Sequence, residues 1–142
     1  MYRELDNKVV LITGGGSGIG RATARLFARH KANVVIADVD ETGGRRTVQT
    51  IEREGGRAVF FKTDVSDGDQ VQTLVNRIME TYGQLDCAHN NAGILGDVAY
   101  IDQCTEENWD RVIDTNLKGV WWCLKYELVH MVRQGQGCIV NT

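Results

Sequence analysis

Short apolar runs alternate along this chain with longer stretches in which apolar residues recur three or four positions apart. The runs at 9–13, 33–37, 58–62, 85–89 and 137–141 are nearly continuous rather than alternating, which predicts buried strands of a sheet covered on both faces. Helical patterns fill the intervals at 19–31, 41–54 and 68–82, with a long pair over 106–133. In the first, Ile19, Ala22, Leu26 and Phe27 are expected to share a face, with Arg21, Arg25 and Arg29 pointing elsewhere. In the third, Val71, Leu74, Val75 and Ile78 do the same.

Boundary residues agree with these elements. Asp40 precedes the second helix, Ser66 or Asp67 can cap the third, and Thr105 with Asn108 suits the fourth. Gly55, Gly56, Gly83 and Gly135 sit just past helix ends, where a left-handed residue is wanted. The β-α-β order predicts an α/β fold on a doubly wound parallel sheet with right-handed crossovers, truncated after the fifth strand. No repeat or linker divides residues 1–142, so one domain is expected.

Composition narrows the partners. Sixteen Lys and Arg stand against nineteen Asp and Glu, a net charge of −3 with the bases scattered, which argues against nucleic acid or an anionic membrane. No apolar run reaches the ~18 residues of a membrane span. The start, Met1-Tyr2-Arg3-Glu4-Leu5-Asp6, has no apolar signal core, so a cytoplasmic location is expected. Cys87, Cys104, Cys123 and Cys138 are far apart and form no C-x-x-C pair, which makes them buried thiols rather than metal ligands. Proline is absent, so the turns rely on 16 glycines.

The candidate chemistry begins where the first strand meets the first helix, at Thr13-Gly14-Gly15-Gly16-Ser17-Gly18-Ile19-Gly20. The strict G-x-G-x-x-G spacing is not met; what stands is G-x-x-x-G-x-G after a threonine. Bare backbone at Gly14, Gly18 and Gly20 suits the turn, a closely approaching ligand and helix-on-sheet packing, and the helix start favours a phosphate. An ordinary flexible turn is the alternative reading. Asp38 ends the second strand 18 residues past Gly20, near the ~20-residue offset of an acid that accepts ribose hydroxyls. Its charge repels a 2′-phosphate, and Val39 offers no rescuing cation, so NAD is expected in preference to NADP. The alternative, a helix-capping role for Asp38, suits Asp40 better. Asn90 and Asn91 also read as a turn that tolerates left-handed backbone, and His89 before them reads as a hydrogen-bonded core histidine.

Residues 13–20, Asp38, Asp64-Val65, Asn90-Asn91-Ala92-Gly93 and Asn116 together resemble the short-chain dehydrogenase/reductase family, in order and along the whole chain. The resemblance implies a Rossmann-type sheet and a pyrophosphate held by Thr13, Gly14, Gly16, Ser17, Gly18, Ile19 and Gly20. It places Asp64 and the Val65 backbone on the adenine side, and Asn91, Ala92 and Gly93 along the cofactor. It gives Asn116 a part in a catalytic proton relay; bonding local to a helix junction is the alternative for this residue. A small alcohol or carbonyl compound is the implied substrate. The serine and Tyr-x-x-x-Lys pair of the family's hydride transfer do not occur: none of Tyr2, Tyr82, Tyr100 and Tyr126 has lysine four residues on. The expectation is the cofactor-binding half of an NAD-dependent oxidoreductase, inactive as it stands, with a stand-alone NAD(H)-binding or regulatory module as the alternative. Trp109, Trp121, Trp122 and Val120 form an aromatic surface that suits either a homo-oligomer or simple core packing.

Overall fold

Strands β1 (Val9–Thr13), β2 (Asn33–Asp38), β3 (Arg57–Lys62), β4 (Cys87–Asn90) and β5 (Cys138–Asn141) form one parallel sheet in the order β3-β2-β1-β4-β5. Helices α1 (Gly18–Arg29), α2 (Glu41–Arg53), α3 (Gly68–Tyr82), α4 (Glu106–Ile113) and α5 (Gly119–Gln134) connect them. The computed structural model describes residues 5–142; the reading of the N-terminus as signal-free rests largely on residues 1–4, which lie outside the described residues.

Strand β1 is central because every one of its residues is buried. Its alternate side chains feed two cores. Val9 and Leu11 join Leu74, Ile78 and Met131 on the α3 and α5 side, while Val10 and Ile12 join Ala24, Ala28 and Ile51 on the α1 and α2 side. A continuous apolar strand thus serves both faces of a doubly wound sheet. The buried face of α3 is the predicted one, Val71, Leu74, Val75 and Ile78.

Helix α1 departs from expectation. Its buried residues are Gly20, Ala24 and Ala28, whereas Ile19 and Leu26 are 64% and 57% exposed, Ala22 is exposed and Phe27 is half-buried. The helix lies so close to the loop after β1 that a Cβ on Gly20 would collide with the Gly14 carbonyl, so small residues line the contact and the larger ones turn outward. Strand β4 starts later than expected and runs to Asn90. Leu85 is buried just before it, and Asp86 breaks the apolar run. That carboxylate accepts from the Val9 N–H at 2.9 Å, from Gln84 Nε2 at 2.8 Å and from Lys8 Nζ at 3.0 Å.

Caps follow the sequence at α3 and α4, where Asp67 accepts from the Asp69 and Gln70 amides and Thr105 from that of Asn108. Asp40 occupies the cap position of α2 but makes no side-chain cap bond. Gly83 and Gly135 end α3 and α5 in the left-handed conformation. Helices α4 and α5 are continuous through a π-helical turn, Asp114–Lys118. No described helix is long and apolar enough to cross a membrane.

Asp86→Ala leaves the buried Val9 amide without an acceptor and should cost about 1–3 kcal/mol in urea unfolding. Asp86→Asn, which keeps an accepting oxygen, should cost less.

Candidate cofactor site

The loop after β1 is built by close approach. Gly14 has a φ of 66°, and a Cβ there would stand 2.9 Å from both Ala92 Cα and Asn91 Nδ2. The Gly14 and Gly15 amides both donate to the Ala37 carbonyl, which ties the loop back to β2. Gly18 also has a positive φ, 47°, but apart from its chain neighbours and its own helix backbone no atom lies within 4 Å of where its Cβ would be. Its backbone is bare on an open side. Ser17 caps α1 without a side-chain bond, so the first-turn N–H groups of the helix face outward with no intrahelical partner.

Thr13 closes the floor of this region. Its buried Oγ1 accepts from the Asn91 amide at 3.0 Å and from the Ala92 amide at 3.1 Å. Asn91 Nδ2 in return donates to the Thr13 carbonyl at 3.1 Å and to that of Gly14 at 3.3 Å. Two sequence-distant turns are thereby joined by four hydrogen bonds.

Asp38 is half-buried at the end of β2. Its Oδ2 accepts from the Gly16 amide at 2.8 Å and its Oδ1 from the Asp40 amide at 2.9 Å. Each oxygen keeps a lone pair for a further donor. Arg21, assigned by the sequence only to a face away from the core, donates to the Gly16 carbonyl and, through Nε at 3.1 Å, to Thr47 Oγ1. It braces the peptide that orients Asp38. A single arginine on a helix gives no sign of such a partner.

A cleft of about 540 Å³ opens at the carboxyl ends of the strands. Its lining includes Gly14, Ser17, Gly18 and Ile19 from the glycine loop, Asp38 from the end of β2, Asp64 and Val65 after β3, and Asn91, Ala92 and Gly93 after β4. Thr13, Gly16, Gly20 and Asn116 are not among the lining residues. Val39, read from the sequence as offering no cation, lines the cleft, and Ala37, Thr63, Ile94 and Thr115 also line it without having been singled out. Each is a neighbour in sequence of a residue that was, and strand-end geometry was the available signal. Asp64 uses Oδ1 to accept from the amide and hydroxyl of Ser66, which turns the chain after β3.

Asn116 sits in the π-helical turn and clamps the chain after Gly93. Its Oδ1 accepts from the Ile94 amide and its Nδ2 donates to the Ile94 carbonyl, both at 2.8 Å. The side chain thus bonds a distant backbone, not its own helix junction. His89 is nearly buried, meets Thr142 Oγ1 through Nε2 at 2.7 Å, and is held below the usual histidine range by burial. It behaves as the hydrogen-bonded core residue the sequence implied.

The fit to a dinucleotide is good on these observations. An open glycine rim, unsatisfied helix amides and an acid with spare lone pairs converge on one cleft. Among the described lining residues none is Lys or Arg, so Asp38 and Asp64 carry the formal charge there.

Thr13→Ala strands two amides and should cost about 1–3 kcal/mol of stability in urea unfolding, whereas Thr13→Ser retains the acceptor and should lose only roughly 1 kcal/mol.

A family model described as short chain dehydrogenase matches residues 8–142. A short chain dehydrogenase/reductase, astE, of Aspergillus oryzae is 44% identical, covering 97% of this chain and 54% of its own length. A cyclohexanol dehydrogenase of an Acinetobacter species is 39% identical over 100% of this chain and 57% of its own. Among solved structures, a short chain dehydrogenase/reductase from Burkholderia phymatum in complex with NAD superposes with a TM-score of 0.93 at 37% identity, covering 99% of this chain and 50% of that one. The chain spans about half the length of these relatives. With the glycine loop, the strand-end cleft and the parallel sheet all in place, this chain belongs to the short chain dehydrogenase family.

Proposed function

We propose that this chain is the cofactor-binding half of an NAD-dependent oxidoreductase that interconverts small alcohols and carbonyl compounds. The observation that carries the reading is Asp38, oriented by the Gly16 amide beside a cleft whose described lining contains no cation. An adenosine ribose donates its hydroxyls to such a carboxylate, while a 2′-phosphate meets an uncompensated negative charge. That combination favours NAD over NADP.

In this reading Ser17, Gly18 and Ile19 present the α1 amides to the pyrophosphate. Thr13, Gly14, Gly16 and Gly20 shape the loop behind them. Asp64 and Val65 flank the adenine, and Asn91, Ala92 and Gly93 form the facing wall. The bound nicotinamide supplies hydride exchange with the substrate carbon. The chain's own part is to grip the adenosine and phosphates and to keep the wall fixed. Asn116 holds Ile94 at the end of that wall, and the family resemblance gives it a part in the proton relay. The serine and Tyr-x-x-x-Lys groups of proton transfer are absent from these 142 residues, so turnover by this chain alone is not expected.

The solution setting in this proposal is the cytoplasm, with neither nucleic acid nor membrane as partner. Trp109 and Trp121 are 56% and 51% exposed on α4 and α5, which supports association of copies through those helices.

Titration of NADH fluorescence should show binding by the wild-type chain and weaker binding of NADPH. Asp38→Ala should weaken NADH binding by roughly tenfold or more, in line with about 1.5–3 kcal/mol for a hydrogen bond to a charged acceptor, and narrow the gap to NADPH. Equal affinities for both cofactors in the wild type would overturn the assignment of Asp38.

A further inference from the structure

Glu127 lies on α5 and is fully buried. Its Oε2 accepts from Asn90 Nδ2 at 3.0 Å, and the same nitrogen donates to Asn141 Oδ1 at 3.0 Å. One amide thus links the carboxyl ends of β4 and β5 to α5. Two oxygens in this cluster have no donor, Oε1 of Glu127 and Oδ1 of Asn90. A carboxylate has no proton to give either of them. A carboxylic acid and a primary amide, by contrast, pair through two parallel bonds, N–H to one carboxyl oxygen and O–H to the amide oxygen. One of those bonds is present here, and the two atoms of the other are the two left without a partner.

We propose that Glu127 is held as a neutral carboxylic acid paired with Asn90, and that this pair positions residues 91–93 along the wall of the cleft. A charged, unpaired carboxylate at full burial would carry a large desolvation cost, which a proton removes. No ion pair of the described residues involves Glu127. Asn90 and Asn141 face it from β4 and β5. The thiol of Cys123, one turn back on α5, is pushed up by its own burial and by the Glu127 charge. From helix α3, apolar groups pack in this region: Val71 shares a cluster with Cys123, and Leu74 and Ile78 share one with Met131, the residues one turn on either side of Glu127. His89, the neighbour of Asn90, lines the opposite, α1 side of β4 with Thr23 and Phe27.

Burial lifts the Glu127 pKa to about 7 against an ordinary 4.5, with the Asn90 bond opposing part of the rise. The folded state therefore holds its proton more tightly than the unfolded state. The stability contribution is full below about pH 4.5, falls as pH rises towards about 7, and is flat above that.

The positioning half of the proposal rests on the cofactor reading of the cleft; the protonation half does not. The infrared difference spectrum of the full chain, wild type minus Glu127→Gln, should show the carbonyl stretch of a protonated carboxyl at about pH 6 and lose it as pH rises through about 7. Thermal unfolding should show the wild type losing stability relative to Glu127→Gln as pH rises from about 4.5 to about 7, with no further loss above that. A glutamine can form the equivalent amide pair, so Glu127→Gln should bind NADH within about threefold of wild type without pH dependence near 7, while Glu127→Leu should lose about tenfold or more. Asn90→Ser removes the pairing from the other side and is read in the same way if Glu127→Leu does not fold. Carboxylate bands alone at about pH 6, or an unchanged pH slope in Glu127→Gln, overturns the neutral acid. Wild-type NADH affinity in both Glu127→Leu and Asn90→Ser overturns the positioning role. A wild-type chain that binds no NADH sinks the cofactor reading, and the infrared and stability measurements still decide the state of Glu127.

Discussion

Close contact between the loop after β1 and the turn after β4 is the constraint on which the cleft depends. The two segments approach until a Cβ on Gly14 would press on Ala92, and the Thr13 hydroxyl then satisfies two amides that the approach takes from water. Buried amides without an acceptor are costly, so the threonine and the glycine are two parts of one solution. The same closeness forces glycine at position 20 and small residues along the buried face of α1. One wall of the cleft and the start of α1 are thereby fixed relative to each other before any ligand is present.

Around that contact lie successive supports. Arg21 braces the Gly16 carbonyl, the Gly16 amide aims Asp38, and Thr47 of α2 holds Arg21 in turn. On the far side, Asn116 clamps Ile94, and Glu127 with Asn141 anchors Asn90. The groups placed to meet a ligand come from strand ends, turns and the start of α1, while the groups that hold them come from helices α1, α2 and α5, the π-helical turn, and Thr13 and Asn141 of β1 and β5. Rigid elements thus carry the precision that exposed loops lack.

Much of this was legible in the amino-acid order. Continuous apolar runs marked the positions of all five strands, but the expected burial holds only for β1, β2 and β4, while the edge strands β3 and β5 are half-buried and largely exposed. Helix period three to four marked α3 correctly because its buried side chains are large. The same rule failed at α1. There the contact is decided by backbone proximity, and Gly20, Ala24 and Ala28 carry almost no hydrophobic signal of their own. The start of β4 was misread for a related reason: the run 85–89 took Asp86 into the strand, whereas its carboxylate is engaged by three donors and the strand begins at Cys87.

The sequence by itself determined the order of elements, the glycine loop, the acid at the end of β2 and the small-residue turn after β4, because each is a local pattern of residue type and spacing. It also carried the family likeness that the wider comparison shares. Only the tertiary structure decided that Thr13 bonds Asn91, that Arg21 serves Gly16, that Asn116 reaches Ile94 and that Glu127 is sealed against Asn90. Those partners are separated by many residues or by the direction of a side chain, and hydrogen bonds of that kind leave no period in the chain for a reader to find.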